Sequence, residues 1–282
     1  MDEPMVWALH NGALVALDEL MVPVNDRAYM FGDAVYEVLR IYDGRPFLFA
    51  EHLKRLKNSL EAMSISGVLD MAADVLSIIK QNRVQEGMVY VQISRGVAPR
   101  NHSFHNLNLK PTIFMYAKPF LVSPIRDEEF LGIKAITHED IRWAHCHIKT
   151  VNLLPNCLVQ TKAHGLGAAD AIFIRDGLVT ECTSSNVFCV KDNVITTPPL
   201  SRYILPGIRR QFAIDNLKIQ GYVVLEEPIA REKLYDADEV FITSTIKEAI
   251  PITSIDDHPI GKSGPKFAPL VRKIILEQAY QE

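Results

Sequence analysis

Apolar and polar residues alternate near the start of the chain in the way that predicts β-strands. Residues 6–17 read as two short strands around Asn11-Gly12, a pair that favours a two-residue hairpin turn. Another strand is predicted from about Val35, and Asp43-Gly44 marks the tight turn after it. Neither face of this strand is cleanly apolar. Tyr36 lies on it, and because a buried tyrosine hydroxyl needs a partner, Tyr36 is either a core residue or a donor in a binding site.

Helical spacing follows this strand. Leu53, Leu56, Leu60 and Met63 form the apolar stripe of an amphipathic helix, and Arg55 lies off the centre of that stripe. The pattern alone therefore predicts a solvated Arg55. After a second helix over 71–84 and two further strands, a proline-containing stretch indicates a linker. The sequence predicts a small N-terminal domain over 1–118, an interdomain linker over 119–125 and a large C-terminal domain over 126–282.

Two patterns meet around Lys149 in the C-terminal part. Trp143, His145, His147 and Lys149 occupy alternate positions, which predicts a strand with these side chains on one face. The pattern then becomes helical, with Pro155 in the predicted first turn and a glycine at residue 165 closing the helix. A lysine at the end of a buried strand, just before a helix, is an unusual place for a charge.

Strands and helices alternate over the rest of the chain. A strand–turn–strand pattern places Glu181 at the head of a polar loop, where the pattern alone predicts a solvated carboxylate. Pro206-Gly207 then opens a helix, and a helix start of this kind presents free backbone N–H groups to an anion such as phosphate. A later strand ends in Thr243-Ser244-Thr245, whose hydroxyls and amides extend such a cradle.

Composition and charge narrow the class of protein. The 282 residues are 48% hydrophobic and 23% charged, which is typical of a globular chain. The formal net charge of −4 offers no basic field for nucleic acid, and no apolar run is long enough for a membrane span. The first residues lack the pattern of a signal peptide, and the four cysteines show no CxxC spacing. We expect a reduced, cytoplasmic enzyme that binds neither nucleic acid nor membrane.

The surroundings of Lys149 indicate its chemistry. Ile148, Val151, Leu153 and Leu154 are apolar, so they disfavour the ammonium form and favour a nucleophilic amine. Such an amine forms Schiff bases with carbonyls, which is the linkage that holds pyridoxal 5'-phosphate (PLP). We expect no metal site at His145-Cys146-His147, because adjacent ligands on opposite faces of a strand rarely converge.

One loop offers groups for a substrate carboxylate. In RGVAPRNHSFHN, Pro99 fixes the backbone and Arg100 provides a planar fork that suits a carboxylate. His102 follows two residues later as a second donor.

Seven blocks of the chain, taken in order, resemble the fold-type IV PLP enzymes, and among these the D-amino acid aminotransferases. The blocks are DRAYMFGDAVYE, EHLKRL, RGVAPRNH, DIRWAHCHIKTVNLL, VTECTSSNVF, ILPGI and VFITST. The resemblance implies a mixed α/β (α+β) fold, with a small N-terminal α/β domain and a larger barrel-like C-terminal domain. It also implies a homodimer with PLP in the cleft between the domains.

The resemblance implies a role for each matching residue. Lys149 is expected to bind PLP covalently and to move the proton between the substrate Cα and the cofactor, while Glu181 pairs with the pyridinium nitrogen. Leu205 is expected to pack against the ring. The phosphate is expected to contact the remaining cofactor-binding residues, which are Arg55, Ile208, Arg209, Ser244 and Thr245. The substrate carboxylate is expected to contact Tyr36, Arg100 and His102.

The resemblance implies a transaminase that moves an amino group between a D-amino acid and a 2-oxo acid, by a ping-pong route through pyridoxamine phosphate. Relatives commonly have Gly at Cys182, Ser at Thr183 and Thr at Arg209, so the contribution of the Arg209 side chain stays open. Four alternatives also stay open: a branched-chain L-aminotransferase, an (R)-amine transaminase, an aminodeoxychorismate-type lyase, and a PLP-binding protein without activity. The presence of both Lys149 and Glu181 favours activity.

Overall fold

The structure is a computed structural model, and it describes residues 5–68, 70–120, 131–261 and 264–281. The chain forms two compact units. Unit 1 consists of Met1–Val122 with Ile148–Asn152, and unit 2 consists of Ser123–His147 with Leu153–Glu282. The segment that carries Lys149 therefore belongs to unit 1. The predicted linker over 119–125 lies mostly outside the described residues, and the predicted domain boundaries stay a prediction.

Unit 1 is built on an antiparallel sheet of six strands. The strands are β1 (Trp7–His10), β2 (Ala13–Ala16), β3 (Ala34–Tyr42), β4 (Arg45–Pro46), β5 (Gly87–Ser94) and β6 (Thr112–Pro119). Their order in the sheet is β2-β1-β6-β5-β3-β4. The predicted hairpin is confirmed, since β1 pairs with β2 and both turn residues, Asn11 and Gly12, have positive φ.

Unit 1 also contains three helices among its described residues. They are α1 (Arg27–Phe31), α2 (Phe49–Ala62) and α3 (Ala72–Gln81), with a 3-10 turn at Leu17–Glu19. Apolar residues of β3 and β5, among them Val35, Leu39 and Val91, form one core with α2 and α3. The prediction of a solvated Arg55 is wrong, because the buried face of α2 includes both His52 and Arg55. The apolar stripe missed them because a charge can be buried when it is paired.

Unit 2 contains a mixed sheet of nine strands. The strands are β7 (Ile133–Glu139), β8 (Asp170–Arg175), β9 (Leu178–Cys182), β10 (Asn186–Lys191), β11 (Val194–Thr197), β12 (Val223–Glu226), β13 (Glu239–Ser244), β14 (Glu248–Ile255) and β15 (His258–Pro259). The order is β12-β11-β10-β13-β14-β7-β8-β9, with β15 on β14. Only three residues join β9 to β10, although four other strands lie between them in this order. The sheet must therefore curl, which confirms the barrel-like domain.

The helices that the structure describes in unit 2 are α4 (Leu154–Gly165), α5 (Ile208–Ile219), α6 (Arg231–Tyr235) and α7 (Phe267–Ala279). The start of α4 confirms the prediction at Pro155, which occupies its first turn. The start of α5 confirms the prediction at Pro206-Gly207. Ile172, Val187, Ile242 and other buried apolar residues form the core that these strands share.

Two predictions about secondary structure are wrong. Residues 140–149 form bends and turns rather than a strand, so Trp143, His145 and His147 do not share a strand face with Lys149. Glu181 lies inside β9 and is buried, rather than solvated at the head of a loop. In the described ranges, no helix is long and apolar enough to cross a membrane. The same residues contain no cluster of His, Cys, Asp or Glu that would hold a metal ion.

Candidate active site

The backbone around Lys149 is held between β3 and α2 of unit 1. The Lys149 carbonyl accepts a hydrogen bond of 3.0 Å from the Tyr36 N–H, and the Val151 N–H donates to the Ala34 carbonyl at 3.2 Å. On the other side, the Lys149 N–H donates to Ser59 Oγ of α2 at 3.2 Å. The lysine backbone is thus anchored on both sides, so the position from which its side chain projects is fixed.

The amine of Lys149 lies beside an aromatic ring. Its Nζ is 4.2 Å from the centroid of the Tyr36 ring. Within the part of the chain that the structure describes, it forms no ion pair. Tyr36 in turn stacks on Tyr90, with ring centroids 5.8 Å apart. Tyr36 is therefore half-buried in an aromatic row, with the predicted catalytic lysine on its ring.

Arg55 is fixed by a buried carboxylate that the sequence did not single out. Glu37, fully buried on β3, accepts hydrogen bonds from Arg55 Nε at 3.0 Å and from Arg55 Nη2 at 2.7 Å. His52 Nδ1 lies 3.1 Å from Glu37 Oε1. Burial alone would raise the pKa of Glu37, but the charges of Arg55 and His52 outweigh it and hold that pKa far below its usual value. The carboxylate therefore stays ionised and orients Arg55.

Arg100 and His102 lie in the exposed loop after β5. The Arg100 guanidinium is 5.4 Å from the centroid of the Phe31 ring, and the His102 ring is 5.5 Å from it. The structure thus brings the two predicted carboxylate-binding residues together on one aromatic ring of α1.

Glu181 is the centre of the predicted site residues in unit 2. It is buried on β9, and its Oε2 accepts hydrogen bonds of 3.1 Å from Asn186 Nδ2 and 3.1 Å from the Leu205 N–H. Its Oε1 accepts a hydrogen bond from Arg142 Nη1. Burial raises the pKa of the Glu181 carboxyl above its usual value, although Arg142 opposes the shift. A carboxylate of raised pKa is a good acceptor for a further N–H donor.

Arg142 is held in place by groups other than Glu181. Its Nε and Nη2 form two parallel bonds of 2.9 Å with Asp140, and Nη2 also donates to the Tyr203 carbonyl at 3.1 Å. The pKa of Asp140 would be raised by burial, but hydrogen bonds and charge from Arg142 lower it. Asp140 is thus ionised, and the pair presents one guanidinium nitrogen to Glu181.

The start of α5 lies next to Glu181. Leu205 bonds to Glu181 through its N–H, and its carbonyl accepts a hydrogen bond of 3.1 Å from Asn186 Nδ2. Gly207 is the N-cap of α5 and provides no side-chain cap for the first N–H groups, those of Ile208 and Arg209. A Cβ at Gly207 would collide with Asn186 Oδ1, so the close approach requires glycine.

Ser244 and Thr245 lie where β13 ends and the turn to β14 begins. Asn186 pairs with Thr243 across β10 and β13, which places this turn beside the Glu181 cluster in the sheet. Ser244 Oγ accepts a hydrogen bond of 3.1 Å from the Lys247 N–H, which orders the turn. Unit 2 thus gathers the predicted residues Glu181, Leu205 and Ile208 with a hydroxyl-bearing turn.

Sequence reasoning missed the residues that orient these groups. They are Glu37, His52, Asp140, Arg142 and Asn186. Glu37 carried one local signal, since it shares its strand face with Val35, Leu39 and Ile41. A charge on such a face requires a buried partner. The Arg142–Glu181 and Asn186–Glu181 pairs gave no comparable signal, because they depend on the pairing of strands.

Comparisons with known proteins agree on one family. The family described as Amino-transferase class IV matches residues 34–255. The D-alanine aminotransferase of Bacillus licheniformis is 40% identical to this chain over 269 residues, which cover 94% of the chain and 93% of the relative. The D-alanine aminotransferase of Listeria innocua serovar 6a is 41% identical over 279 residues, covering 95% of each.

A solved structure supports the same conclusion about the fold. A branched-chain amino acid aminotransferase from T.th., solved with pyridoxamine 5'-phosphate, superposes with a TM-score of 0.88 at 26% identity. The superposition covers 99% of this chain and 95% of that one.

Proposed function

Because this chain belongs to the class IV aminotransferases, we propose that it transfers the amino group of a D-amino acid such as D-alanine to a 2-oxo acid such as 2-oxoglutarate. The cofactor is PLP, on which aminotransferases of this class depend. The choice of a D-amino acid is supported by the D-alanine aminotransferases that match nearly the whole chain. The structural observation that carries the proposal is the donor set around Glu181.

The donor set of Glu181 fits the ring nitrogen of PLP. An ionised carboxylate has about four acceptor positions, and three donors occupy them among the described residues. One position on Oε1 is left for the N–H of a pyridinium ring. In this role Glu181 holds the proton on the ring nitrogen, and Arg142 and Asn186 hold Glu181. Leu205, whose N–H donates to Glu181, would pack against the ring.

Groups for a phosphate are also present. The N–H groups of Ile208 and Arg209 at the start of α5 and the hydroxyls of Ser244 and Thr245 are donors of the kind that bind phosphate. Arg55 adds a guanidinium, which Glu37 and His52 orient. We assign these residues to the phosphate of PLP.

Lys149 performs the covalent and proton-transfer chemistry in this proposal. When bound, PLP supplies an electron sink that stabilises negative charge at the substrate Cα. Lys149 Nζ would hold the cofactor before the substrate binds, and as a free amine it would accept the Cα proton. The Tyr36 ring beside Nζ restricts the directions from which this amine can approach. Arg100, His102 and Tyr36 bind the substrate carboxylate.

The proposal also includes a homodimer. Met21 and Val24 are large apolar residues that are mostly exposed in the chain, and an interface between two copies would remove them from water. Sedimentation equilibrium tests this dimer.

The four cysteines form no disulfide, which supports a reducing compartment such as the cytoplasm.

A branched-chain L-aminotransferase is the second candidate. It is supported by the TM-score of 0.88 with the T.th. enzyme, although the identity of 26% is well below the 40% shared with the Bacillus licheniformis relative. The two candidates differ in the hand of the amino acid that reacts.

The absorbance of the bound cofactor tests the proposal in a half-reaction. We expect D-alanine to change the spectrum of the purified protein, and L-alanine or L-leucine to leave it unchanged. Lys149→Ala is expected to lose the spectrum of the lysine-bound cofactor and to lower turnover by about 10³-fold or more. Lys162→Ala, on the exposed side of α4, is the matched control. A spectrum that responds only to the L isomers would refute D-specificity.

A further inference from the structure

The loop that carries Arg100 and His102 is exposed but firmly attached to α1. Residues 99–106 are all solvent-exposed. Arg27 on α1 nevertheless donates from Nη1 to the Asn101 carbonyl at 2.7 Å and from Nη2 to the His102 carbonyl at 3.2 Å. These bonds hold the backbone on either side of the His102 nitrogen, so they restrict where the His102 and Arg100 side chains can point.

Arg27 is itself fixed in a buried ionic cluster. It is 3% exposed, and its Nε donates to Asp33 Oδ2 at 2.7 Å. Arg95 bonds to the same carboxylate with Nε at 2.8 Å and Nη2 at 2.9 Å, and it donates to the Ser64 carbonyl at 2.8 Å. Burial would raise the pKa of Asp33, but Arg95 and Arg27 lower it below its usual value. Asp33 is therefore ionised, and its hydrogen bonds hold Arg27 and Arg95 in place.

The Phe31 ring supports the side chains as Arg27 supports the backbone. The Arg27 guanidinium lies 4.7 Å from the centroid of this ring. The Arg100 guanidinium lies 5.4 Å from the same centroid, and the His102 ring 5.5 Å. A guanidinium over an aromatic face is attracted to it. Phe31 is thus a common platform for both residues that we assign to the substrate carboxylate.

Phe104 attaches the same loop to the ionic cluster, since its ring centroid lies 3.8 Å from the Arg95 guanidinium and 5.7 Å from that of Arg27. The hydrogen bonds from Arg27 to the loop end on Asn101 and His102, and the ring of Phe31 contacts Arg100 and His102. Tyr29, on the same short helix, is 77% exposed and contributes to neither set.

We propose that Phe31 and Arg27 are positioning residues, which hold Arg100 and His102 in the geometry that binds the substrate carboxylate. This inference rests on the proposed function. The two residues act through Arg100 and His102 and do not touch the reacting atoms. Their loss therefore weakens substrate binding more than it slows the chemical step.

Steady-state and half-reaction kinetics with D-alanine test the inference on the holoenzyme. We expect Phe31→Leu to raise the KM for D-alanine by about 5–10-fold, the scale of one lost cation–π contact, and to change kcat by less than about twofold. Phe31→Tyr keeps the ring and is expected to retain the wild-type KM. Tyr29→Leu makes the same kind of substitution on the same helix and is expected to change neither constant. The spectrum of the bound cofactor should be wild-type in all three variants.

The outcomes separate this inference from the proposed function. If the wild-type protein does not react with D-alanine, the proposed function fails. If it reacts and Phe31→Leu leaves KM unchanged, or lowers kcat with KM unchanged, the inference fails. Should Phe31→Leu not fold, Arg27→Lys decides the matter. Lysine has one nitrogen in place of the three with which the guanidinium reaches Asp33 and both carbonyls, so KM should rise at near-constant kcat, and an unchanged KM would contradict us.

Discussion

Each unit contains a buried glutamate paired with an arginine, and the two pairs differ in which partner holds the other in place. In unit 1, Glu37 is fully buried and holds Arg55 with two hydrogen bonds of 3.0 Å and 2.7 Å. In unit 2, Arg142 is locked by Asp140 and holds Glu181. In the first pair the carboxylate orients the guanidinium, and in the second pair the guanidinium orients the carboxylate.

The pKa directions follow from this difference. The charges of Arg55 and His52 outweigh the burial of Glu37, so its pKa is lowered, whereas burial prevails at Glu181 and its pKa is raised. Arg142 divides its charge between Glu181 and Asp140, which explains the weaker compensation. The comparison teaches that similar buried ion pairs can present opposite partners to a ligand. In the proposed function, unit 1 would offer the ligand a guanidinium and unit 2 would offer it a carboxylate.

Glu181→Gln should have the largest effect on turnover. The amide cannot stabilise a proton on the ring nitrogen, so we expect kcat to fall by about 10²–10³-fold. Arg142 keeps its two bonds to Asp140, and the free energy of unfolding should therefore change less than it does for loss of Glu37. Steady-state kinetics and urea denaturation measure the two quantities. Wild-type turnover in this variant would remove Glu181 from the mechanism.

Glu37→Gln should affect stability and cofactor binding instead. The change leaves the buried Arg55 charge without its carboxylate, and we expect the free energy of unfolding, measured by urea denaturation, to fall by about 3 kcal/mol. Half-saturation by PLP, followed by the absorbance of the bound cofactor, should also require more cofactor, because Arg55 loses its orientation.

Glu61→Gln is the control for this change. Glu61 lies on the same helix as Arg55, 65% exposed and 3.9 Å from Lys57, and its loss should cost no more than about 0.5 kcal/mol. If Glu37→Gln is as stable as this control and binds PLP normally, the proposed contrast between Glu37 and Glu181 is wrong.

The smallest expected effect is a difference in pH dependence, measured as Tm on cofactor-free protein. The folded pKa of Glu37 is below its unfolded value, so its contribution to stability is present above about pH 4 and is lost in acid. The folded pKa of Glu181 is above its unfolded value, so its contribution is present in acid and is lost as pH rises through the folded pKa. Glu37→Gln should flatten the acid side of the profile, and Glu181→Gln the side toward neutral pH. Equal effects of both variants would contradict these directions.

Elements with local signals could be predicted from the sequence. The Asn11-Gly12 hairpin, the Pro155 helix and the helix opened by Pro206-Gly207 are set by residues within a few positions of each other. The strand predicted around Trp143 is wrong because the alternation there has another cause. The rings of Trp143, His145 and His147 contact one another, with centroids 5.4 Å and 5.7 Å apart, in a segment of bends and turns.

The supporting residues of the candidate site could not be predicted in this way. Helical periodicity counts apolar residues only, so it assigns Arg55 to solvent, and the partner Glu37 is 18 residues away. Arg142 and Glu181 are 39 residues apart and meet only because β7, β8 and β9 lie side by side. The roles of individual residues came from the resemblance of ordered blocks and remain predictions that the variants above test.

Gly207 takes no part in the chemistry, yet the position of the Glu181 carboxylate depends on it. Any side chain there would displace Asn186, whose amide holds both Glu181 and Leu205. In a library of random substitutions selected for activity, residue 207 should therefore tolerate change as poorly as residue 181. Over evolutionary time residues 186 and 207 are expected to change together or not at all. An active library member with alanine at 207 and asparagine still at 186 would disprove this dependence.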